Sequence, residues 1–327
     1  MGEDFGRNPI GTGPYMFVEH QSGQSVTLTR FDDYFEGPAP IRDVTLMVIL
    51  SPETTSIAVE AGDIDFAISV PHGDVDRLGA TPGLTATPFD TNSVNFLTLN
   101  TLAEPFDNPL VREAIARAID RQGIVTMVAD GLGSVSNSFL NDLTFGYSSD
   151  VMPFPRDLDR ARELLAEAGY PDGLSVTIQT IGGAFDGIAQ VVQSNLGEIG
   201  ITASIELLDQ AVLIENLFTA NYEIGVLALA LPADANSWSE AFITDGGLNM
   251  HFYSDPEIDG WFETGRTTLD TAVRLEAYRN IAQRVNDVAA FIPIYFNSMV
   301  YVHNSDLEMG FIGPTAAFRV DQMRWVR

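Results

Sequence analysis

Between residues 157 and 231 the hydrophobic pattern switches repeatedly from helical period to strand period, and this alternation limits the fold more than any other feature of the chain. Asp157 stands at an N-cap position, and Leu158, Ala161, Leu164, Leu165 and Ala168 then share one helical face. Gly169 follows where a left-handed residue ends a helix, and Pro171 blocks continuation. Leu174, Val176 and Ile178 alternate as a strand, and residues 186–199 read as a helix closed by Gly200. A strand over 201–207, a helix over 210–220 and an apolar strand over 224–231 complete the series. Strands joined through helices in this way run parallel, with each crossover helix covering a face of the sheet. The block predicts an α/β domain with a largely parallel sheet.

On either side the signals are plainer but separate. Residues 25–30 alternate and 44–50 form an apolar run, so both read as strands. Ser51, Pro52 and Glu53 open a helix as N-cap, first-turn proline and first-turn acid, and it ends near Ala61-Gly62. Strands are expected at 63–70 and 94–100. After Pro105-Phe106-Asp107-Asn108-Pro109, a single helical face gathers Leu110, Val111, Ala114, Ile115, Ala118 and Ile119. Helices over 256–265 and 271–288 precede an apolar strand at 291–302. The tail, with Arg319, Arg324, Trp325 and Arg327, is too apolar for a free end and is expected to pack back on the first domain.

A chain of 327 residues that is 45% hydrophobic can fill two cores. Its apolar runs are strand-length, short of the roughly 20 residues of a membrane-spanning helix. Met1-Gly2-Glu3-Asp4 has neither the basic start nor the apolar core of a signal peptide, so an export signal would have to precede it. A net charge of −28 opposes binding to nucleic acid and to anionic membranes. All 17 basic residues are arginine. Codon drift with a solubilising acidic surface and adaptation to high salt both account for that balance. Without cysteine there is no disulfide, thiol nucleophile or thiolate metal site.

Catalytic patterns are missing. His20, His72, His251 and His303 lie far apart, and His251, beside Phe252 and Tyr253, reads as a packed or cleft histidine. There is no Gly-x-Ser-x-Gly elbow, and a lysine-free chain has no phosphate-binding Gly-x-x-x-x-Gly-Lys. Gly131-Leu132-Gly133 lacks a third glycine, and acid pairs such as Asp32-Asp33 are expected by chance among 45 carboxylates. Neither an enzyme nor a cofactor or metal site is expected. One loop stands apart, Leu231-Pro232-Ala233-Asp234-Ala235-Asn236-Ser237-Trp238, at the carboxyl end of an apolar strand where α/β sheets place ligand crevices. It reads equally as a ligand loop and as an Asx turn with Trp238 plugging the core.

Several ordered motifs carry a family resemblance. They are Gly11-Thr12-Gly13-Pro14-Tyr15, Gly62-Asp63-Ile64-Asp65, the strand ending at Asn100, and Pro105-Phe106-Asp107. Beyond them stand Val111-Arg112-Glu113-Ala114-Ile115, Ala118-Ile119-Asp120-Arg121, Glu163-Leu164-Leu165-Ala166-Glu167-Ala168-Gly169-Tyr170-Pro171-Asp172-Gly173 and Ile292-Pro293-Ile294-Tyr295. From about Asn8 to about Phe311 the chain resembles the peptide/nickel family of solute-binding proteins, family 5 of the extracellular solute-binding proteins. The resemblance implies a two-lobed, class II periplasmic-binding-protein-like α/β fold, with mixed sheets, flanking helices and a solute enclosed as the lobes close. Lobe one would comprise residues 1–100 and 301–327 with its N-terminal part missing, lobe two residues 101–300, and the hinge strands residues 96–101 and 294–303.

What the resemblance implies for function is a monomeric periplasmic or membrane-tethered component of an ABC importer. It would hand a peptide or peptide-like small solute to permease subunits. A sensor domain of the same fold and an α/β hydrolase are the alternatives. In peptide-binding relatives an acid after the apolar strand of lobe two pairs with the ligand's amino group, and Asp234 matches it here. Trp238 would stack on the solute and Asn236 would hydrogen-bond to it, while Asn137 and Ser138 would line the same cleft. Ala230-Leu231-Pro232 departs from the family's Gly-Trp-type residues, and Pro232 has no N–H to offer a peptide.

Overall fold

The computed structural model describes residues 6, 9–68 and 70–326. Met1 to Asp4, Asn8, Ser69 and Arg327, which entered the reading above, lie outside the described residues. Two compact units divide the chain, one running to Phe89 and resuming at Met299, the other spanning Asp90–Ser298.

In the first unit β1 (Tyr15–Gln21), β2 (Ser25–Arg30) and β3 (Asp43–Met47) form an antiparallel meander. Phe17 lies opposite Leu28, which lies opposite Val44, and Val26 lies opposite Leu46, so the apolar residues share one face. β1 escaped the sequence reading because a register shift between Phe17 and Glu19 breaks its alternation. α1 (Pro52–Ala61) starts as expected, with the Ser51 side chain accepting from the Thr54 N–H, and ends at Gly62 with φ 78°. The strand expected at 63–70 shrinks to β4 (Phe66–Ala67), followed by a 3₁₀ turn and α2 (Val75–Gly79).

β5 (Leu84–Leu99) carries the chain into the second unit. There α3 (Pro109–Ala118) and α4 (Arg121–Val128) replace the single helix face expected through Ile119. Ile119 is extended (ψ 119°), and the Asp120 side chain then caps α4 by accepting the Gly123 N–H. A short β6 (Ser134–Val135) precedes the alternating block, which folds as α5 (Leu158–Glu167), β7 (Leu174–Thr180), α6 (Ala184–Glu198), β8 (Ile201–Leu207), α7 (Gln210–Phe218) and β9 (Ile224–Leu229). α8 (Ser239–Phe242), α9 (Pro256–Thr267), α10 (Thr271–Val288) and β10 (Phe291–Asn304) follow. Within this unit the strands are ordered β10–β5–β9–β7–β8, with β6 beside β10. β7 runs parallel to β8 and β9, while β5 runs antiparallel to β9, which makes the sheet mixed.

Two apolar cores sandwich that sheet. Leu97 and Leu99 of β5 join Ile115, Ile178, Val192 and Ile224 on one side. Val94 and Phe96 point the other way, to Trp238, Phe242, Tyr278 and Phe291. Each such side chain contributes about 1.5–3 kcal/mol when fully buried. A strand covered on both faces has no polar side, which is why β9 reads as one apolar run.

Arg112 and Arg121, both in the family motifs, are buried fasteners. Nε of Arg112 donates to the Val288 carbonyl at 2.9 Å, and its Nη1 to the carbonyls of Phe106 at 2.7 Å and Asp107 at 3.1 Å. Nε of Arg121 donates to the Pro293 carbonyl at 2.8 Å. Burial pushes Arg121 down to about 10.

The chain re-enters the first unit inside β10, and β11 (Leu307–Glu308) pairs with β12 (Arg324–Trp325). Phe66 meets both Phe318 and Tyr301 edge-on, with centroids 5.2 Å apart in each case, so the tail packs within this unit.

Candidate functional site

At its carboxyl end β9 carries an open edge. Its pairing with β5 runs the full length from Ile224↔Leu99 to Leu229↔Val94. Its pairing with β7 stops after Ile178↔Ile224 and Gln179↔Gly225. Past Gly225, among the described residues, no strand pairs with that side of β9. Ala228 and Ala230 therefore offer main-chain donors and acceptors there, between half-buried Leu227, Leu229 and Leu231. None of residues 226–233 carries a charged side chain.

On the other side of β9, across its pairing with β5, lies a network of neutral polar groups on β5 and β10. The Asn92 amide donates to the Leu231 carbonyl at 2.7 Å and fixes the chain where it leaves β9. Asn95 donates to the Asn297 side-chain oxygen at 2.8 Å, and Asn297 donates to the Ser93 hydroxyl at 3.3 Å. The Thr91 hydroxyl donates to the Asn297 carbonyl at 2.8 Å, and the Asn141 amide to the Thr91 carbonyl at 2.9 Å. The Asp90 carboxylate accepts the Ser298 hydroxyl. Nothing in the sequence announced this cluster, because its halves lie about two hundred residues apart; only the amide-rich spelling of 92–95 hints at it.

The loop after β9 is fixed by its own contacts. The Phe145 N–H donates to Ala233 at 3.0 Å, and the Ala235 N–H to Phe145 at 2.8 Å. Gly146, with φ 101°, permits this approach, since a Cβ there would meet the Ala235 Cβ at 2.7 Å. Asp234 closes an Asx turn, with Oδ1 accepting the Asn236 N–H at 2.9 Å. Its Oδ2 accepts from Nη2 of Arg274 at 3.0 Å. Arg274 also donates to the Gly265 carbonyl at 3.0 Å and the Tyr278 hydroxyl at 3.2 Å, and its guanidinium carbon lies 4.6 Å from the Phe145 ring centroid. Hydrogen bonding, first to Tyr278 and then to Asp234, holds Arg274 above its ordinary value.

The five expected site residues are thus placed as follows. Asp234 is part-exposed, with both oxygens engaged. Trp238 does not offer a face for stacking. It is 1% exposed, with ring centroids 5.2, 6.0 and 6.1 Å from Phe139, Phe242 and Phe291, so the core-plug reading of the loop describes it. Asn236 is half-buried, and its side-chain oxygen is enclosed without a hydrogen-bond partner among the described residues. Ser138 is buried, and its hydroxyl turns back on Leu140, accepting the N–H and donating to the carbonyl, each at 3.0 Å. Asn137 is half-buried, and its carbonyl accepts the Asn286 amide at 2.7 Å. The 137–139 and 234–238 segments do meet, through Phe139 and Trp238, inside the core.

His251 is a packed histidine beside Phe242 and Phe291. Burial, helped by Arg112, pushes it down to about 3. Among the described residues no group of three or more His, Asp or Glu could hold a metal ion, and no helix is long and apolar enough to cross a membrane. What the site offers chemically is hydrogen bonding to an extended chain, with apolar side chains alongside.

Comparison with known proteins places these features in a family. The model for bacterial extracellular solute-binding proteins, family 5 Middle, matches residues 2–256. The glutathione-binding protein GsiB of Salmonella choleraesuis is 27% identical over 336 residues, covering 98% of this chain and 65% of its own length. The chain thus spans about two thirds of that relative, 65% of it. Among solved structures, the oligopeptide-binding protein AppA of Bacillus subtilis, in complex with a nonapeptide, is 26% identical with a TM-score of 0.84, covering 99% of this chain and 69% of its own. The binding protein AgaA of A. tumefacien R10, in complex with agropinic acid, is also 26% identical with a TM-score of 0.84, covering 99% and 70%.

Proposed function

We propose that this chain, which belongs to family 5 of the bacterial extracellular solute-binding proteins, captures an extended peptide-like solute for an ABC importer and catalyses nothing. The observation that carries this reading is the open edge of β9 beyond Gly225. An extended solute laid there continues the sheet, with its main chain supplying the hydrogen bonds and its side chains entering the apolar surroundings of Leu227, Leu229 and Leu231. Each main-chain bond contributes about 0.5–1.5 kcal/mol net, so two or three of them leave most of the roughly 8 kcal/mol of a micromolar complex to apolar burial. Pro232 ends the pairing, because it has no N–H to give.

Two relatives support the choice of solute class, one named for glutathione and one holding a nonapeptide. On this reading the protein works outside the cytoplasm, and its protein partners are the permease subunits of the importer. Calorimetry with glutathione and with dipeptides to pentapeptides tests it. The expectation is micromolar binding that weakens at least about tenfold when the central amides of the best peptide are N-methylated. Binding indifferent to N-methylation would refute pairing along β9.

A further inference from the structure

We infer that one ordered water molecule is a constituent of the second unit, bridging the buried guanidinium of Arg121 to the side-chain oxygen of Asn286.

Arg121 opens α4 and is 8% exposed. Its Nε donates to the Pro293 carbonyl at 2.8 Å, and among the described residues Nη1 and Nη2 have no acceptor. Burial alone shifts its value, with no carboxylate acting against it. Asn286 lies in the last turn of α10 and is 5% exposed. Its amide nitrogen donates to the Asn137 carbonyl at 2.7 Å, while Oδ1 is enclosed without a partner among the described residues. Exchanging the two ends of that amide brings no relief, since Oδ1 would then face the carbonyl oxygen of Asn137. A buried cation with idle donors and a buried acceptor without a donor are both costly to leave so.

The two side chains do not bond to each other, but both line one cavity of about 10 Å³. Its other walls are apolar side chains, among them Phe154, Phe291 and Pro293. The space admits a single water molecule. The donor and acceptor on its walls identify the occupant, which must accept from a guanidinium and donate to an amide oxygen. Chloride only accepts, and would meet Oδ1 with charge of the same sign. Ammonium only donates, and would meet the guanidinium in the same way. Water does both, and a bridge of this kind is nearly as favourable as a direct hydrogen bond. The bridge joins the start of α4 to the end of α10 and, through the Asn286 amide, to the chain at residue 137.

A crystal structure of the full chain, grown with bromide in place of chloride and at a resolution that shows ordered water, tests this directly. The expected result is a water within hydrogen-bond distance of an Nη atom of Arg121 and of Asn286 Oδ1, with no anomalous signal from bromide. A bromide ion there, an empty cavity, or Arg121 bonded straight to Asn286 overturns the inference. In solution, Arg121→Met, Asn286→Leu and the double variant are compared by urea unfolding. Side chains that share a water are expected to couple by at least about threefold in the unfolding constant, although they do not touch. Additive effects overturn the bridge, and the crystal of the intact chain decides where a variant fails to fold.

Discussion

Replacing Arg112 with methionine keeps the apolar stem of the side chain and removes its guanidinium. Three carbonyls then lose their donor, those of Phe106, Asp107 and Val288, at 2.7, 3.1 and 2.9 Å in the intact protein. Val288 ends α10, so its carbonyl has no helical partner of its own, and the helix-end dipole that favours a cation there is lost as well. At about 1 kcal/mol for each orphaned acceptor the loss comes to about 3 kcal/mol. Part of this returns, because a charge whose hydrogen bonds go only to carbonyls is no longer held out of water; burial already pushes the Arg112 guanidinium below its usual value. A net loss of about 2 kcal/mol is therefore expected. Urea unfolding followed by far-ultraviolet circular dichroism measures it as a lower midpoint at unchanged slope. Arg112→Lys is expected to lose nearly as much, since a single ammonium cannot serve carbonyls on two sides. A loss below about 1 kcal/mol in the methionine variant, or full stability in the lysine variant, would refute the three-carbonyl account.

Other outcomes follow from the same structure. His251 is neutral when folded, with its value pushed to about 3 from 6.5, so its contribution is complete above pH 6.5 and is lost as the pH falls toward 3. Between pH 7 and 5 the native protein should lose about 2 kcal/mol more than His251→Gln, and parallel pH profiles would contradict this. Trp238→Ala should cost about 3–5 kcal/mol, and tryptophan fluorescence assigned by that variant should resist aqueous quenchers; ready quenching would place the ring at the surface instead. With a net charge of −28, the melting temperature should climb from low to molar salt, and a flat response would exclude carboxylate self-repulsion as a determinant of stability.

The alternating block was legible because each of its boundaries has a local chemical cause. Asp157 accepts the Arg160 N–H, and Gly169 and Gly200 take φ values of 96° and 90° that other residues resist. The early half of β5 was not legible, since Pro88, Asp90 and Asn92 spell a turn. Here tertiary contacts override that spelling: Thr91 and Asn92 are buried, the Thr91 hydroxyl donating to the Asn297 carbonyl and the Asn92 amide to the Leu231 carbonyl. For the loop after β9, sequence held two readings level, and what decides Trp238 is the set of rings around it, drawn from Phe139, Phe242 and Phe291. Asp234 was conspicuous as an acid at a strand end, yet its partner Arg274 lies 40 residues on, in α10, where no local pattern links them.

The discontinuity of the first unit has a consequence for how the protein is made. Residues up to Phe89 leave the ribosome before the second unit, but the segment that rejoins them in the first unit begins only at Met299. The second unit, which contains both large cores and whose boundary residues Asp90 and Ser298 are hydrogen-bonded to each other, is whole before that segment emerges. The second unit therefore needs no residue beyond Ser298, and a fragment ending there should already protect residues 90–298 from protease while residues up to Phe89 stay cleavable.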